Sequence, residues 1–153
     1  MKYIILEDIR SAYNVGAIFR TADASGVAKV FLTGYTPAPI DRFGRPQPEI
    51  QKTSLSASET MPWEKVESMS ELITRLKNEG VTVAAIELSP ASVPLKEFTE
   101  PELVAYIVGN EVDGVAKETL ELVDVIVELP MLGQKESLNV SVTAGIILYH
   151  GIT

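Results

Sequence analysis

Residues 14 to 26 of the chain read Asn14-Val15-Gly16-Ala17-Ile18-Phe19-Arg20-Thr21-Ala22-Asp23-Ala24-Ser25-Gly26. Within this stretch, apolar residues recur at i, i+3, i+4 and i+7, namely Val15, Ile18, Phe19 and Ala22. That period predicts a helix with one face against a core and with Asn14 as its N-cap. Arg20 is about 150° from the centre of that face, at roughly 100° per residue, and therefore points away from the core. A solvated surface charge and a functional arginine both fit this position.

Short apolar runs recur on both sides of this helix, at residues 3–6, 30–32, 81–88, 103–108 and 125–127. Most are continuous rather than alternating, which predicts strands that are buried on both faces of a sheet. Helical patterns lie between them at residues 15–25, 70–78, 116–122 and 139–150. The alternation predicts an α/β fold with a mostly parallel sheet and helices on both faces. Residues 1–153 are expected to form a single domain.

Two segments depart from this regular alternation. Residues 33–52 contain four prolines and two glycines, and we expect a long irregular loop, a kind of segment that is usually functional or disordered. The last helix, residues 139–150, is apolar nearly all round. Such a helix is either buried on every side by its own chain or part of a subunit interface. We favour the interface, since a terminal helix normally lies at the surface.

Composition narrows the function classes. The 153 residues include no cysteine and one histidine, which excludes thiolate sites, disulfides and histidine metal clusters, so no metal is expected. No apolar segment approaches the length of a membrane span, and a cytoplasmic location is expected. The net charge is −8, which argues against a surface that binds nucleic acid everywhere.

The charge is distributed unevenly. Residues 1–52 contain seven Lys and Arg against five Asp and Glu, a net of +2, whereas the remaining residues contain six against sixteen, a net of −10. A polyanion should therefore contact the first third of the chain, and Arg10, Arg42 and Arg45 are the candidate RNA-binding residues. Ordinary surface charges are the alternative interpretation.

Two further segments follow predicted strands. The run at 103–108 leads into Gly109-Asn110-Glu111-Val112-Asp113-Gly114, and the run at 125–127 leads into Glu128-Leu129-Pro130-Met131-Leu132-Gly133 and then Ser137-Leu138-Asn139-Val140-Ser141. Ligands in parallel sheets bind beyond the carboxyl ends of the strands. Neither segment matches a dinucleotide or P-loop pattern. Taken singly, each is also compatible with a plain turn or a helix cap.

Taken together, the three segments resemble the SpoU (TrmH) family of RNA 2′-O-ribose methyltransferases, part of the SPOUT superfamily. The matching signatures are Asn14-x-Gly16-x-x-x-Arg20, then Gly109-Asn110-Glu111-x-x-Gly114, and finally Leu129-Pro130-Met131-x-Gly133 with Ser137-Leu138-Asn139. They occur in the family's order and cover nearly the whole chain.

The resemblance implies an α/β SPOUT fold with a C-terminal deep trefoil knot, a homodimer, and S-adenosylmethionine as the cofactor. It implies methyl transfer to a ribose 2′-hydroxyl of RNA, with tRNA favoured over rRNA. The implied catalytic residues are Arg20, Asn14, Glu111, Ser137 and Asn139. The implied cofactor-binding residues are Leu88, Gly109, Leu129, Met131 and Leu138.

Alternatives from other classes stay open at this point. One is a catalytically inactive cofactor-binding or RNA-binding protein of the same fold, and another is a regulatory α/β nucleotide-binding module. The role of Arg20 also has alternatives, because a guanidinium is a poor general base. It would either hold a phosphate or stabilise a developing alkoxide.

Overall fold

The computed structural model describes residues 1–152, which form a single seven-stranded sheet with only parallel strand pairings. The strands are β1 (Lys2–Glu7), β2 (Lys29–Thr33), β3 (Trp63–Val66), β4 (Thr82–Ile86), β5 (Val93–Pro94), β6 (Val104–Val108) and β7 (Val125–Glu128). Their order across the sheet is β3-β2-β1-β6-β4-β7-β5. The predicted α/β architecture with a parallel sheet is confirmed.

Helices cover both faces of the sheet, as predicted. They are α1 (Ala12–Ala24), α2 (Pro48–Thr53), α3 (Ala57–Thr60), α4 (Met69–Asn78), α5 (Lys117–Leu120) and α6 (Val140–His150), with a short 3-10 helix at Leu95–Glu97. One core cluster joins strand residues such as Ile4 to α1 and α6. A second cluster, on the opposite face, joins Ile5 and its neighbours to α4. Successive residues of a strand thus pack alternately in the two clusters, which explains why the apolar runs are continuous.

Helix α1 begins earlier than the periodicity predicted. Ser11 is its N-cap, with its hydroxyl accepting a hydrogen bond from the Asn14 backbone N–H at 3.1 Å. The prediction that Asn14 caps the helix is therefore wrong, because the helix begins at Ala12 and Asn14 already lies in its first turn. The predicted apolar face is confirmed, since Val15, Ile18, Phe19 and Ala22 are fully buried.

The stretch predicted to be irregular from 33 to 52 ends in a helix. Pro48 occupies the first turn of α2, where the missing N–H of proline costs nothing. Helix α2 packs against α1 so closely that a Cβ on Gly16 would overlap the Thr53 hydroxyl. The irregular segment is therefore limited to residues 34–47, and it is held at both ends by packed elements.

Helix α6 has one stripe in the core and one at the surface. Val140, Ala144, Ile147 and Leu148 are buried, whereas Val142 and Ile146 are 50% and 42% exposed. The described chain thus covers only half of this apolar helix, so the alternative of a helix fully covered by its own chain is wrong. Among residues 1–152, no helix is long and apolar enough to cross a membrane.

Candidate active site

A cavity of about 240 Å³ lies at the carboxyl ends of β4, β6 and β7, which are neighbours in the sheet. Its walls are the loops that follow these three strands, together with the start of α6. Parallel strands all deliver their following loops to one edge of the sheet, and ligands of such folds bind there. The arrangement therefore brings residues near 86–88, 108–114 and 129–143 together around one cavity, although these segments are far apart in sequence.

All five residues expected to bind a cofactor line this cavity: Leu88, Gly109, Leu129, Met131 and Leu138. Two of the five expected catalytic residues, Glu111 and Ser137, line it as well. The other three, Asn14, Arg20 and Asn139, do not. The structure thus brings the second and third signatures together, and it places most of the first signature elsewhere.

The charge of the cavity is entirely negative. Four carboxylates line it, those of Glu87, Glu111, Asp113 and Glu136, and no Lys, Arg or His is among the lining residues. Sequence reasoning missed Glu87, Asp113 and Glu136, although Glu87 stands at the end of an apolar run, where a site residue is expected. Such a wall attracts a cationic ligand and repels a phosphate. The lining residues therefore supply no cation for an anionic ligand.

Glu111 is held by three N–H donors. Its Oε1 accepts from the Arg10 backbone N–H at 2.9 Å. Its Oε2 accepts from the Ser11 backbone N–H and from the Asn14 side-chain amide, both at 3.0 Å. Partial burial, the largest single influence, acts to raise the pKa of Glu111, but the hydrogen bonds from these donors hold the pKa below its ordinary value. Glu111 is thus a fixed anion that joins the cavity loop to the start of α1.

Asn14 therefore contributes through Glu111. The residue is only 6% exposed, and its amide points at the carboxylate rather than at the cavity. Asn139 acts as the N-cap of α6, where its Oδ1 accepts from the Ser141 backbone N–H at 2.9 Å and from the Ser141 hydroxyl at 2.6 Å. Both asparagines thus set the positions of elements at the site.

The loop at 109–114 closes upon itself. Asn110 and Gly114 exchange two backbone hydrogen bonds, of 3.1 and 2.9 Å. A Cβ on Gly109 would lie 2.4 Å from the Gly114 carbonyl carbon, which no side chain permits. The Glu87 carboxylate buttresses the same turn by accepting from the Val115 N–H at 3.0 Å. These glycines are therefore required by the internal packing of the loop, apart from any approach to a ligand.

Arg20 lies in a different place. It is exposed on α1 and lines a groove formed by α1, the end of α2 and α6. The groove also contains Tyr13 and Leu55, which are 59% and 66% exposed. The prediction that Arg20 points away from the core is confirmed. The groove combines these apolar side chains with Lys52 and two threonines, and it is separate from the acidic cavity.

The three candidate RNA-binding arginines also lie outside the cavity. Arg10 is exposed at the start of α1, where its backbone N–H contacts Glu111. Arg42 and Arg45 are exposed on the segment between β2 and α2. Within residues 1–152, no group of three or more His, Cys, Asp or Glu is arranged to hold a metal ion.

Comparisons with known proteins agree with this geometry. The model of the SpoU rRNA methylase family matches residues 1–149. A 23S rRNA (guanosine-2′-O-)-methyltransferase of Neisseria meningitidis serogroup B is 36% identical over 145 residues, which cover 95% of this chain and 55% of that protein. A tRNA (guanosine(18)-2′-O)-methyltransferase of Aquifex aeolicus is 33% identical over 152 residues, which cover 95% of this chain and 66% of that protein.

A solved structure extends the comparison to the fold and to a bound molecule. The AdoMet-bound rRNA methyltransferase from Sinorhizobium meliloti superposes with a TM-score of 0.85 at 26% identity, covering 98% of this chain and 55% of that one. The chain thus spans about half the length of several of the relatives it matches.

Proposed function

The chain belongs to the SpoU rRNA methylase family, and from this premise we propose that it transfers the methyl group of S-adenosylmethionine to a ribose 2′-hydroxyl of RNA. The observation that carries the proposal is the acidic cavity at the ends of β4, β6 and β7. A cationic sulfonium ligand matches four lining carboxylates, and an anionic nucleotide does not.

The cavity lining fits S-adenosylmethionine chemically. Leu88, Leu129, Met131 and Leu138 would offer apolar contacts to an adenine ring, and the carboxylates would attract the positively charged sulfonium. When bound, the cofactor supplies a methyl group on a positively charged sulfur, and transfer breaks the S–C bond as the O–C bond forms. The residues of the chain then have two tasks, which are to align the hydroxyl and to receive its proton.

Glu111 is a poor proton acceptor because three N–H donors already occupy its oxygens. We assign it to positioning, together with Asn14. Asp113 and Glu136 are the exposed carboxylates that line the cavity, and they are the proposed proton acceptors. Ser137 lines the cavity where the third loop enters α6 and is proposed to orient the ribose. Asn139, the N-cap of α6, is proposed to position the start of that helix.

Arg20 is proposed to act in the cavity of a second copy of the chain. It lies away from the cavity of its own subunit, and its groove contains the exposed apolar residues Tyr13 and Leu55. Helix α6, which also contributes to this groove, carries the exposed Ile146. A homodimer that buries these residues would carry Arg20 across the interface. There the guanidinium supplies the cation that the acidic cavity lacks, either to a phosphate next to the reacting ribose or to the developing alkoxide.

The remaining features follow as parts of the same proposal. The RNA is proposed to approach over Arg10, Arg42 and Arg45. We propose to test tRNA as the substrate first and 23S rRNA second, since the names of the relatives give one RNA or the other as their substrate. The C-terminal trefoil knot is proposed from the way residues 129–138 share one cavity with loop 109–114 before α6 begins. The single domain and the cytoplasmic location are proposed with it.

The testing experiment is transfer of a tritiated methyl group from S-adenosylmethionine to unmodified transcripts of tRNA and 23S rRNA. The labelled RNA is then hydrolysed in alkali, since a 2′-O-methyl group protects the adjacent phosphodiester bond. We expect label in alkali-resistant dinucleotides with the wild-type protein. With Arg20→Ala we expect loss of transfer but nearly unchanged cofactor affinity by calorimetry. Lys96→Ala, which removes an exposed cation after β5, serves as the control.

Each outcome discriminates between functions. An active Arg20→Ala variant would refute the catalytic assignment of Arg20. Cofactor binding without transfer to either RNA would favour a non-catalytic binding protein of the same fold. Label at a base rather than a ribose would contradict the proposed reaction class.

A further inference from the structure

A hydrogen-bonded turn, residues 41–45, lies exposed in the segment between β2 and α2. Asp41 organises it, because its Oδ1 accepts from the backbone N–H groups of Phe43 at 2.8 Å and Arg45 at 3.0 Å. Its Oδ2 accepts from the Arg45 guanidinium at 3.1 Å, and the Asp41 and Arg45 backbones are bonded at 2.9 Å. The hydrogen bond from the Arg45 N–H is the largest influence that lowers the pKa of Asp41. The turn is therefore ordered by a single exposed carboxylate.

The turn exposes the ring of Phe43, which is flanked in the sequence by Arg42 and Arg45. Phe43 is 66% exposed. The guanidinium carbons of Arg42 and Arg45 lie 4.8 and 5.0 Å from its ring centroid. An exposed phenylalanine contributes nothing to the core, and each cation–π contact at the surface contributes only about 0.5–1 kcal/mol. The fold gives no reason for this combination of residues.

The turn is also tied to the site at both ends. On the β2 side, the Tyr35 hydroxyl accepts from the Asn110 amide at 2.7 Å, next to Glu111. At its base, Ile40 pairs with Pro46, and the Gln47 N–H donates to the Pro39 carbonyl at 2.8 Å. On the other side α2 packs on α1, the helix that carries Arg20. The segment that carries the turn is therefore hydrogen-bonded to loop 109–114 at one end and continues into a helix packed on α1 at the other.

We propose that Phe43 is a stacking platform for an unpaired nucleotide of the RNA substrate. The base takes the place of a guanidinium that lies over the ring, and Arg42 and Arg45 turn to the adjoining phosphates. The inference rests on the proposed function and adds to it a preference for a single-stranded or looped region beside the methylated ribose. Unstacked bases are recognised by aromatic rings together with nearby guanidinium groups. A fully paired helix offers no exposed base face to such a ring.

Charge favours RNA over a protein partner at this turn. Residues 1–52 have a net charge of +2, whereas the rest of the chain has −10. Of the charged side chains in the turn itself, two are cationic and one is the Asp41 carboxylate that orders it. A polyanion is therefore drawn to this turn and repelled by the surface elsewhere.

The test uses fluorescence anisotropy with a labelled ten-nucleotide oligouridylate and with a labelled twelve-base-pair RNA duplex. Phe43→Leu keeps apolar bulk but removes the π face, and it should weaken oligouridylate binding roughly 5- to 150-fold, the range for loss of one base–aromatic stack. Phe43→Trp should bind at least as well as wild type. Duplex binding should not change in either variant.

The salt dependence separates stacking from charge. Phe43→Leu should leave the slope of log K against log salt unchanged. The double variant Arg42→Gln, Arg45→Gln should lower the slope by about 1.4, at roughly 0.7 per phosphate contact on a single strand. Lys96→Gln, a loss of one cation beyond β5 at the opposite edge of the sheet, should have little effect on either quantity.

Two failures are distinguishable. If wild type transfers methyl groups but Phe43→Leu binds oligouridylate as tightly as wild type, the stacking inference is overturned and the proposed function stands. Equal loss of duplex and oligouridylate binding would also overturn it, since a general electrostatic contact explains that result. If wild type neither binds RNA nor transfers a methyl group to it, the proposed function fails and the inference fails with it.

Discussion

Replacing Glu111 by glutamine should destabilise the protein at neutral pH in a manner that acid abolishes. The change keeps the size of the side chain but removes its charge and one of its acceptor oxygens. The wild-type carboxylate accepts three hydrogen bonds, at 2.9, 3.0 and 3.0 Å. In the variant, an amide NH₂ group must face at least one N–H donor, which leaves that donor without a partner.

The magnitude follows from the number and type of these bonds. A hydrogen bond to a charged group contributes roughly 1.5–3 kcal/mol net, and the three bonds share one partly exposed carboxylate and are not additive. We therefore expect a loss of about 2–3 kcal/mol in the free energy of unfolding. For a chain of this length, that loss lowers Tm by roughly 4–12 °C, at about 2–4 °C per kcal/mol.

The pH dependence supplies the decisive assay. The folded pKa of Glu111 lies below its ordinary value of 4.5, so the stabilisation is fully present above pH 4.5 and is lost as the pH falls through the folded pKa. Urea unfolding followed by circular dichroism should show the full difference between wild type and Glu111→Gln at pH 7, and almost none once the carboxyl is protonated. Glu67→Gln, at an exposed carboxylate after β3, is the control. Equal stability at pH 7, or a difference that persists in acid, would refute the reasoning.

Three further changes test other parts of the structure. Gly109→Ala should lower Tm and weaken cofactor binding, because its Cβ would lie 2.4 Å from backbone atoms. Gly133→Ala should be tolerated, since nothing lies within 4 Å of a Cβ at that position. Thermal melts compare the stability of the two variants, and calorimetry compares their cofactor affinity. Ile146→Glu should shift the protein from dimer to monomer in sedimentation velocity, because it places a charge in the exposed apolar stripe of α6; an unchanged sedimentation coefficient would contradict the proposed interface. Lys2→Met should cost about 2 kcal/mol in urea unfolding by breaking an ion pair whose side chains are only 11% and 17% exposed. Lys77→Met breaks a pair that is 41% and 37% exposed and should cost less than about 1 kcal/mol.

The sequence predicted the buried half of the sheet well and its edges poorly. The central strands consist of continuous apolar runs, and β6 is buried at every residue. Strand β3, Trp63-Glu64-Lys65-Val66, contains two charged residues and pairs only with β2. Strand β5 has two residues. A continuous apolar run arises where a strand is buried on both faces. No residue of β3 or β5 is fully buried, so neither strand shows such a run in the sequence.

The residues of the cavity could be predicted only as separate segments. Gly109 and Leu129 stand after recognisable strands, but their proximity arises because β6, β4 and β7 are adjacent in the sheet, an order that the chain sequence does not state. The position of Asn14 was misread because a serine three residues upstream is an equally good cap. The separation of Arg20 from the cavity depends on the packing of α1 against α2 and α6, which has no counterpart in local periodicity.

Helix α1 connects the cavity loop to the separate surface that surrounds Arg20. Its first turn is bound to the cavity loop through Glu111. Arg20 lies eight residues beyond Ala12 on the same helix, about 12 Å along its axis at 1.5 Å per residue. In the proposed dimer, a ligand that tightens the loop would therefore also act on the association of the two copies. By thermodynamic linkage, the factor by which dimerisation strengthens methyl-donor binding must equal the factor by which the donor strengthens dimerisation. The affinity for the donor should consequently change with protein concentration across the range in which the proposed dimer forms, and in the direction in which the donor changes dimerisation.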